Sequence, residues 1–190
     1  MSDRIPAKND SQARGRYARF LQLSLSCVSR TVWITAPTPY GRRDTISLTP
    51  QEDPVRLRTR SGEVFHLSAS QLFHFEDDSR YEGERKVSTD AYAYRLWPDR
   101  DRDGELLDWH WHPGPDGVST CHLHLGRGLG TRDDLHKLHL PTARVSFESV
   151  VGFAIREMAV QPLREDWEEI LFDSHTRFEK YRTWHGLDRA

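Results

Sequence analysis

Two His-x-His pairs, His110/His112 and His122/His124, are joined by the turn-rich stretch PGPDGVST. Successive side chains of a β-strand point to opposite faces, so each pair fits a strand that carries both imidazoles on one face. The Pro, Gly and Asp residues between the pairs can reverse the chain. The spacing therefore predicts a hairpin that gathers four imidazoles on one sheet face near its turn. His136 and His139 follow before Pro141, so six of the ten histidines fall between Asp108 and Leu140. Imidazole transfers protons near neutral pH, and its neutral ring ligates metals. The chemistry of this chain is expected here.

The flanking sequence supplies the rest of a sheet. VRLRTRSGEVFHLSASQLFHFE alternates in two runs around Ser61-Gly62, a hairpin signal. In its first run Val55, Leu57 and Thr59 share one face, and Arg56, Arg58 and Arg60 share the other. VSTDAYAYRLW reads as a strand with Tyr92 and Tyr94 on one face, and ELLDWHWH leads into the first histidine pair. Short strands are expected at TVWIT and TISL, giving an antiparallel meander of about four to six strands. Before it, residues 11–30 carry a helical stripe of Tyr17, Phe20, Leu21, Leu23 and Val28. After it, Ser146 can cap a helix whose apolar residues are Phe147, Val150, Val151, Ala154, Ile155 and Met158. Pro162 ends that helix, and a second one runs over Trp167–Tyr181 with Asp166 and Glu169 spaced as a capping box. The fold class is α+β: an N-terminal helix, an antiparallel meander and a C-terminal helical hairpin. The expected organisation is a disordered segment 1–10, a sheet domain 11–142 holding the histidines, and a hairpin 143–190 packed on the same domain. A partner-binding role for the hairpin is the alternative.

A chain of 190 residues suits one domain with a real core. No apolar run reaches the roughly 20 residues that span a bilayer, and the polar start lacks the apolar centre of a secretory signal. Cys27 and Cys121 are then expected as free thiols in a cytoplasmic protein without membrane contact. Residues 1–60 carry eleven Lys/Arg against five Asp/Glu, while residues 61–190 carry sixteen against twenty-four. A basic N-terminal third can attract phosphates, dock on the acidic remainder, or simply be solvated.

The order of helix, hairpin, Tyr-x-Tyr strand (Tyr92, Tyr94), His112-Pro113 and Cys121-His122-Leu123-His124 resembles the TumE-type toxins of bacterial toxin–antitoxin modules. The match covers roughly residues 15–125. It departs at Asp108-Trp109-His110, where Asp-Asn would stand, and at Cys121, where a histidine would. The resemblance implies a toxin that acts on RNA, encoded beside a helix-turn-helix antitoxin partner. Metal-independent cleavage needs a base, an acid and a cation at the phosphorane. His122 and His124 are the acid–base candidates, with His110 or His112 sharing the role and Tyr94 as a proton donor or positioning group. Arg95, Arg127, Arg56 and Arg58 are the phosphate-holding candidates, and no cofactor is required. On an exposed sheet face, loss of these imidazoles would cost little stability.

Two other readings stand beside this one. The two pairs can supply three or four ligands to zinc, iron or manganese. The cupin pattern is not met, since Pro113-Gly114-Pro115-Asp116 stands where its glutamate would follow. Alternatively the histidines lie among Trp97, Trp109 and Trp111 on the face of a non-catalytic binding or regulatory protein. GRGLG at 126–130 lacks the strand–helix setting of a nucleotide-binding loop.

Overall fold

The computed structural model describes residues 7–37, 43–48, 54–98, 104–113, 118–130, 132 and 134–181. Helices α1 (Asp10–Ser26), α2 (Phe147–Arg156) and α3 (Trp167–Tyr181) pack on an antiparallel sheet. Its strands are β1 (Ile34–Pro37), β2 (Arg43–Ser47), β3 (Val55–Arg58), β4 (Val64–Asp77), β5 (Arg85–Pro98), β6 (Leu107–Trp111), β7 (His122–Leu125) and β8 (Leu140–Pro141). The order is β1-β2-β4-β5-β6-β7-β8. Strands β2 and β3 share one edge of β4, pairing with Ser70–His74 and Val64–Leu67 respectively. The α+β class is as the sequence predicts, but the sheet is larger than a four- to six-stranded meander because short strands extend both edges. No helix among the described residues is long and apolar enough to cross a membrane.

The strands divide the chain's side chains between a dry face and an open one. Along β4, Leu67, Ala69, Gln71 and Phe73 are buried in alternation. On β5 the buried set is Thr89, then Tyr92, Tyr94 and Leu96; the change of phase follows a bulge opposite Leu72/Phe73. The helices cover this face: Phe147 of α2 meets Trp33 and Tyr94, with ring centroids 4.7 and 5.8 Å away, and Phe153 meets Trp109 at 5.4 Å. Both cysteines are free and buried.

Local chemistry sets the helix ends. The Asn9 side chain accepts from the Gln12 amide at 2.9 Å and opens α1. Gly15 faces open space, so it costs α1 only helix propensity. Ala7 is buried and its carbonyl accepts from the Arg85 amide at 2.7 Å. Residues 7–9 are therefore ordered, a correction to the expected disorder over 1–10; residues 1–6 lie outside the described residues. Ser146 caps α2, as its position predicts. Beyond α2, Ala159 turns left-handed at φ 54° and the Val160 amide reaches back to Ala154 at 3.0 Å. The chain then joins β3, where the Gln161 amide donates to Arg58 at 2.8 Å. Asp166 receives Arg164 in a two-point pair.

The tail thus contributes Phe147, Val150, Val151, Ala154, Ile155, Val160 and Leu171 to the core. Deleting residues 143–190 is expected to expose an apolar sheet face and cause aggregation. A truncated protein that stays monomeric by light scattering and unfolds cooperatively would show that the hairpin is dispensable.

Candidate metal centre

Strand alternation and register build the site. β6 and β7 pair antiparallel with His110 opposite His122 and Asp108 opposite His124. All four point away from the helices, because their neighbours Trp109 and Leu123 pack on the dry side. Beyond the paired rungs, the Trp111 Nε1 donates to the Ser119 carbonyl at 3.0 Å. After a one-turn 3-10 segment at Leu135–Lys137, the chain returns as β8 with Pro141 opposite His122. That return brings in a fifth ring, His139.

The five rings are contiguous. Centroids lie 4.2 Å apart for His110–His122, 4.7 Å for His110–His124 and 4.8 Å for His110–His112. His139 stands 4.6 Å from His122 and 4.5 Å from His124. Two triads, His110/His112/His122 and His122/His124/His139, each offer three nitrogens within 4.8 Å of one another. His112 and His139 are exposed, whereas His122 is 1% exposed.

Second partners fix the tautomers. The His110 Nδ1 lies 3.0 Å from the Asp108 carboxylate, which can only accept when ionised. Burial alone would push the Asp108 carboxyl up, but His110 and Arg95, whose Nε donates at 3.1 Å, hold it below the usual range. The His122 Nδ1 donates to the Thr120 carbonyl at 2.8 Å, and the His124 Nδ1 faces the His136 carbonyl at 3.4 Å. With Nδ1 protonated, the neutral rings of His122 and His124 carry lone pairs at Nε2. The His110 and His124 Nε2 atoms stand 3.2 Å apart. The His122 Nε2 is buried with no partner. Burial, followed by the neighbouring imidazoles, depresses the His122 pKa to about 4, and the His124 value falls below normal for the same first reason. Both rings are neutral at pH 7.

A cleft of about 580 Å³ opens beside the cluster, lined in part by Glu105, Asp108, His110, His124, Arg127 and His136. Its floor is close-packed: a Cβ on Gly126 would fall 1.7 Å from the Glu105 carbonyl oxygen, and one on Gly128 1.9 Å from that of Gly104. These glycines hold the turn carrying Arg127 against the start of β6. Burial and the nearby Asp108 raise the Glu105 pKa.

Of the residues expected at the site, His110, His112, His122 and His124 converge, and Arg127 faces the cleft. Arg95 does not line that cleft but reaches its acidic residues, Asp108 at 3.1 Å and Glu105 at 3.7 Å. Tyr94 lies apart. It pairs with Trp109, so it faces the helices, 2% exposed, with its hydroxyl accepting from the Gln71 amide at 2.8 Å. Arg56 and Arg58 also lie apart: they project from β3, separated from β6 by β4 and β5, about 14 Å by strand spacing. The exposed-face expectation fails for His122, which the other rings and the β8 return enclose. His139 and the orienting role of Asp108 are additions; Asp108 two residues before His110 on one strand was the available signal. No family model matches the chain, and neither a curated protein nor a solved structure matches it.

Proposed function

We propose that the chain is a metal-binding protein whose histidine cluster holds a divalent first-row transition-metal ion. One observation carries this reading: two sets of three imidazoles, His110/His112/His122 and His122/His124/His139, each bring ring nitrogens within 4.8 Å of one another. Nitrogens about 2.0–2.1 Å from a tetrahedral ion stand about 3.3 Å apart, a spacing that lies within the reach of each triad. A carboxylate or carbonyl behind each ligating imidazole is the usual second shell of metal sites. An all-imidazole set suits zinc, copper, iron or nickel. Each triad leaves a four-coordinate ion one open position, the arrangement that polarises a bound water or substrate. Elemental analysis of protein purified without chelator tests this. A transition metal is expected, removable with EDTA and restored by added zinc; protein that neither retains nor takes up metal would overturn it.

A second reading, RNA cleavage by a toxin, is favoured by Arg127 in the same cleft as His110 and His124. His124 then serves as the acid–base residue; His122, neutral across the physiological range, can accept a proton but not donate one. Cleavage of RNA in excess EDTA, lost about 10²–10⁴-fold in His124→Ala, would carry this reading in place of the first. Growth arrest relieved by a helix-turn-helix partner would extend it to a toxin–antitoxin module.

A further inference from the structure

Resting on the metal reading, we infer that the cluster is a single-ion site with two alternative seats that share His122, so that only one seat fills at a time. The first seat is His110, His112 and His122; the second is His122, His124 and His139. Both need the same ring. With Nδ1 given to the Thr120 carbonyl at 2.8 Å, His122 has one nitrogen left, the buried Nε2. A neutral imidazole has one lone pair and binds one metal. Bridging two ions would require an imidazolate with both nitrogens coordinated, and Nδ1 faces a carbonyl. Ions in both seats would also crowd each other, because the His110 and His124 nitrogens are only 3.2 Å apart.

The seats differ in what completes them. His112 follows the end of β6 at the turn, and His139 precedes β8 on the far side of β7. Both are exposed, so either can swing away or close on the ion without disturbing the core. His110 and His124 are held by their Nδ1 partners, and His122 by its packing. The ion thus has a fixed inner anchor and two exposed ligands that compete for it.

Cobalt(II), whose visible spectrum reports its ligand set, is the probe. Wild-type protein is expected to bind one equivalent. His112→Ala and His139→Ala, both at exposed rings, should each still bind one equivalent, with affinity reduced about twofold as one of two equal seats is lost. Their spectra should differ from each other and, in weighted sum, reproduce that of the wild type. The double variant should lose stoichiometric binding while its circular dichroism stays native. Two equivalents on the wild type would overturn the shared-ligand argument and leave the metal reading standing. Loss of the ion in either single variant, or its retention in the double variant, would overturn the two seats in favour of one fixed ligand set. Binding of no cobalt by the wild type would remove the metal reading itself.

Discussion

Zinc at a thousandfold excess over its dissociation constant is expected to raise the melting temperature by about 10 °C, and His122→Ala is expected to erase that rise. Ligand binding to the native state at this excess stabilises it by about 4 kcal/mol. In a chain of this size each kcal/mol moves the midpoint by about 2–4 °C. Both triads depend on His122, so its removal takes the whole effect. The metal-free variant should melt close to the metal-free wild type, for opposing reasons. Truncating a ring that is 1% exposed leaves a cavity and frees the Thr120 carbonyl, a bond worth about 1 kcal/mol. It also removes an unpartnered buried nitrogen, which itself costs about 1–3 kcal/mol. Differential scanning calorimetry with and without zinc separates the two contributions. An equal zinc-induced rise in the variant would place the bound ion elsewhere.

Glu148→Gln is expected to stabilise the protein above neutral pH and to do nothing near pH 4.5. Glu148 lies in the first turn of α2, 2% exposed, with Oε1 unpartnered and the His175 ring nitrogen 3.9 Å away. Burial raises its pKa to about 7; its own amide, Ser146 and Arg144 oppose that rise, while Glu179 adds to it. Tyr17 and Tyr94 are the other titratable groups that sense its charge. The folded state therefore holds the proton more tightly than the unfolded state. The resulting stability is full below about 4.5 and is lost as pH rises to about 7. At about 1.4 kcal/mol per pH unit, that window amounts to on the order of 3 kcal/mol. The amide stands in for the protonated carboxyl, so the variant keeps what the wild type loses. Urea unfolding at pH 5 and pH 8 measures both. A variant destabilised equally at the two values would mean that the buried carboxylate has a compensating partner.

The sequence makes some of this architecture readable and hides the rest for definite reasons. The Ser61-Gly62 hairpin, the Ser146 cap and the convergence of four histidines are local, set by period and turn chemistry within a few residues. The orientation of Tyr94 is not. That Tyr92 and Tyr94 share a face follows from alternation, but which face depends on Tyr94 pairing with Trp109 and not with His110. That offset is fixed by packing under α2. His139 sits on a stretch without periodicity, and only the return of β8 beside β7 brings it to the cluster. The arginine row on β3 was legible as a row, but its distance from the histidines depends on strand order.

The β6–β7 pairing has a consequence for how this site can change. Trp109 and Leu123 pair on the dry side, one rung along from His110 and His122, which pair on the opposite face. Sliding either strand by one residue would exchange the two sets. Imidazoles would enter the aromatic core and an indole would be left in water. The core thus proofreads the site: a misregistered hairpin is rejected during folding by packing alone, before any ion is present. The same coupling forbids gradual adjustment by strand slippage. Selection can reshape the cluster only by exchanging single rings or by remodelling the segments that carry His112 and His139.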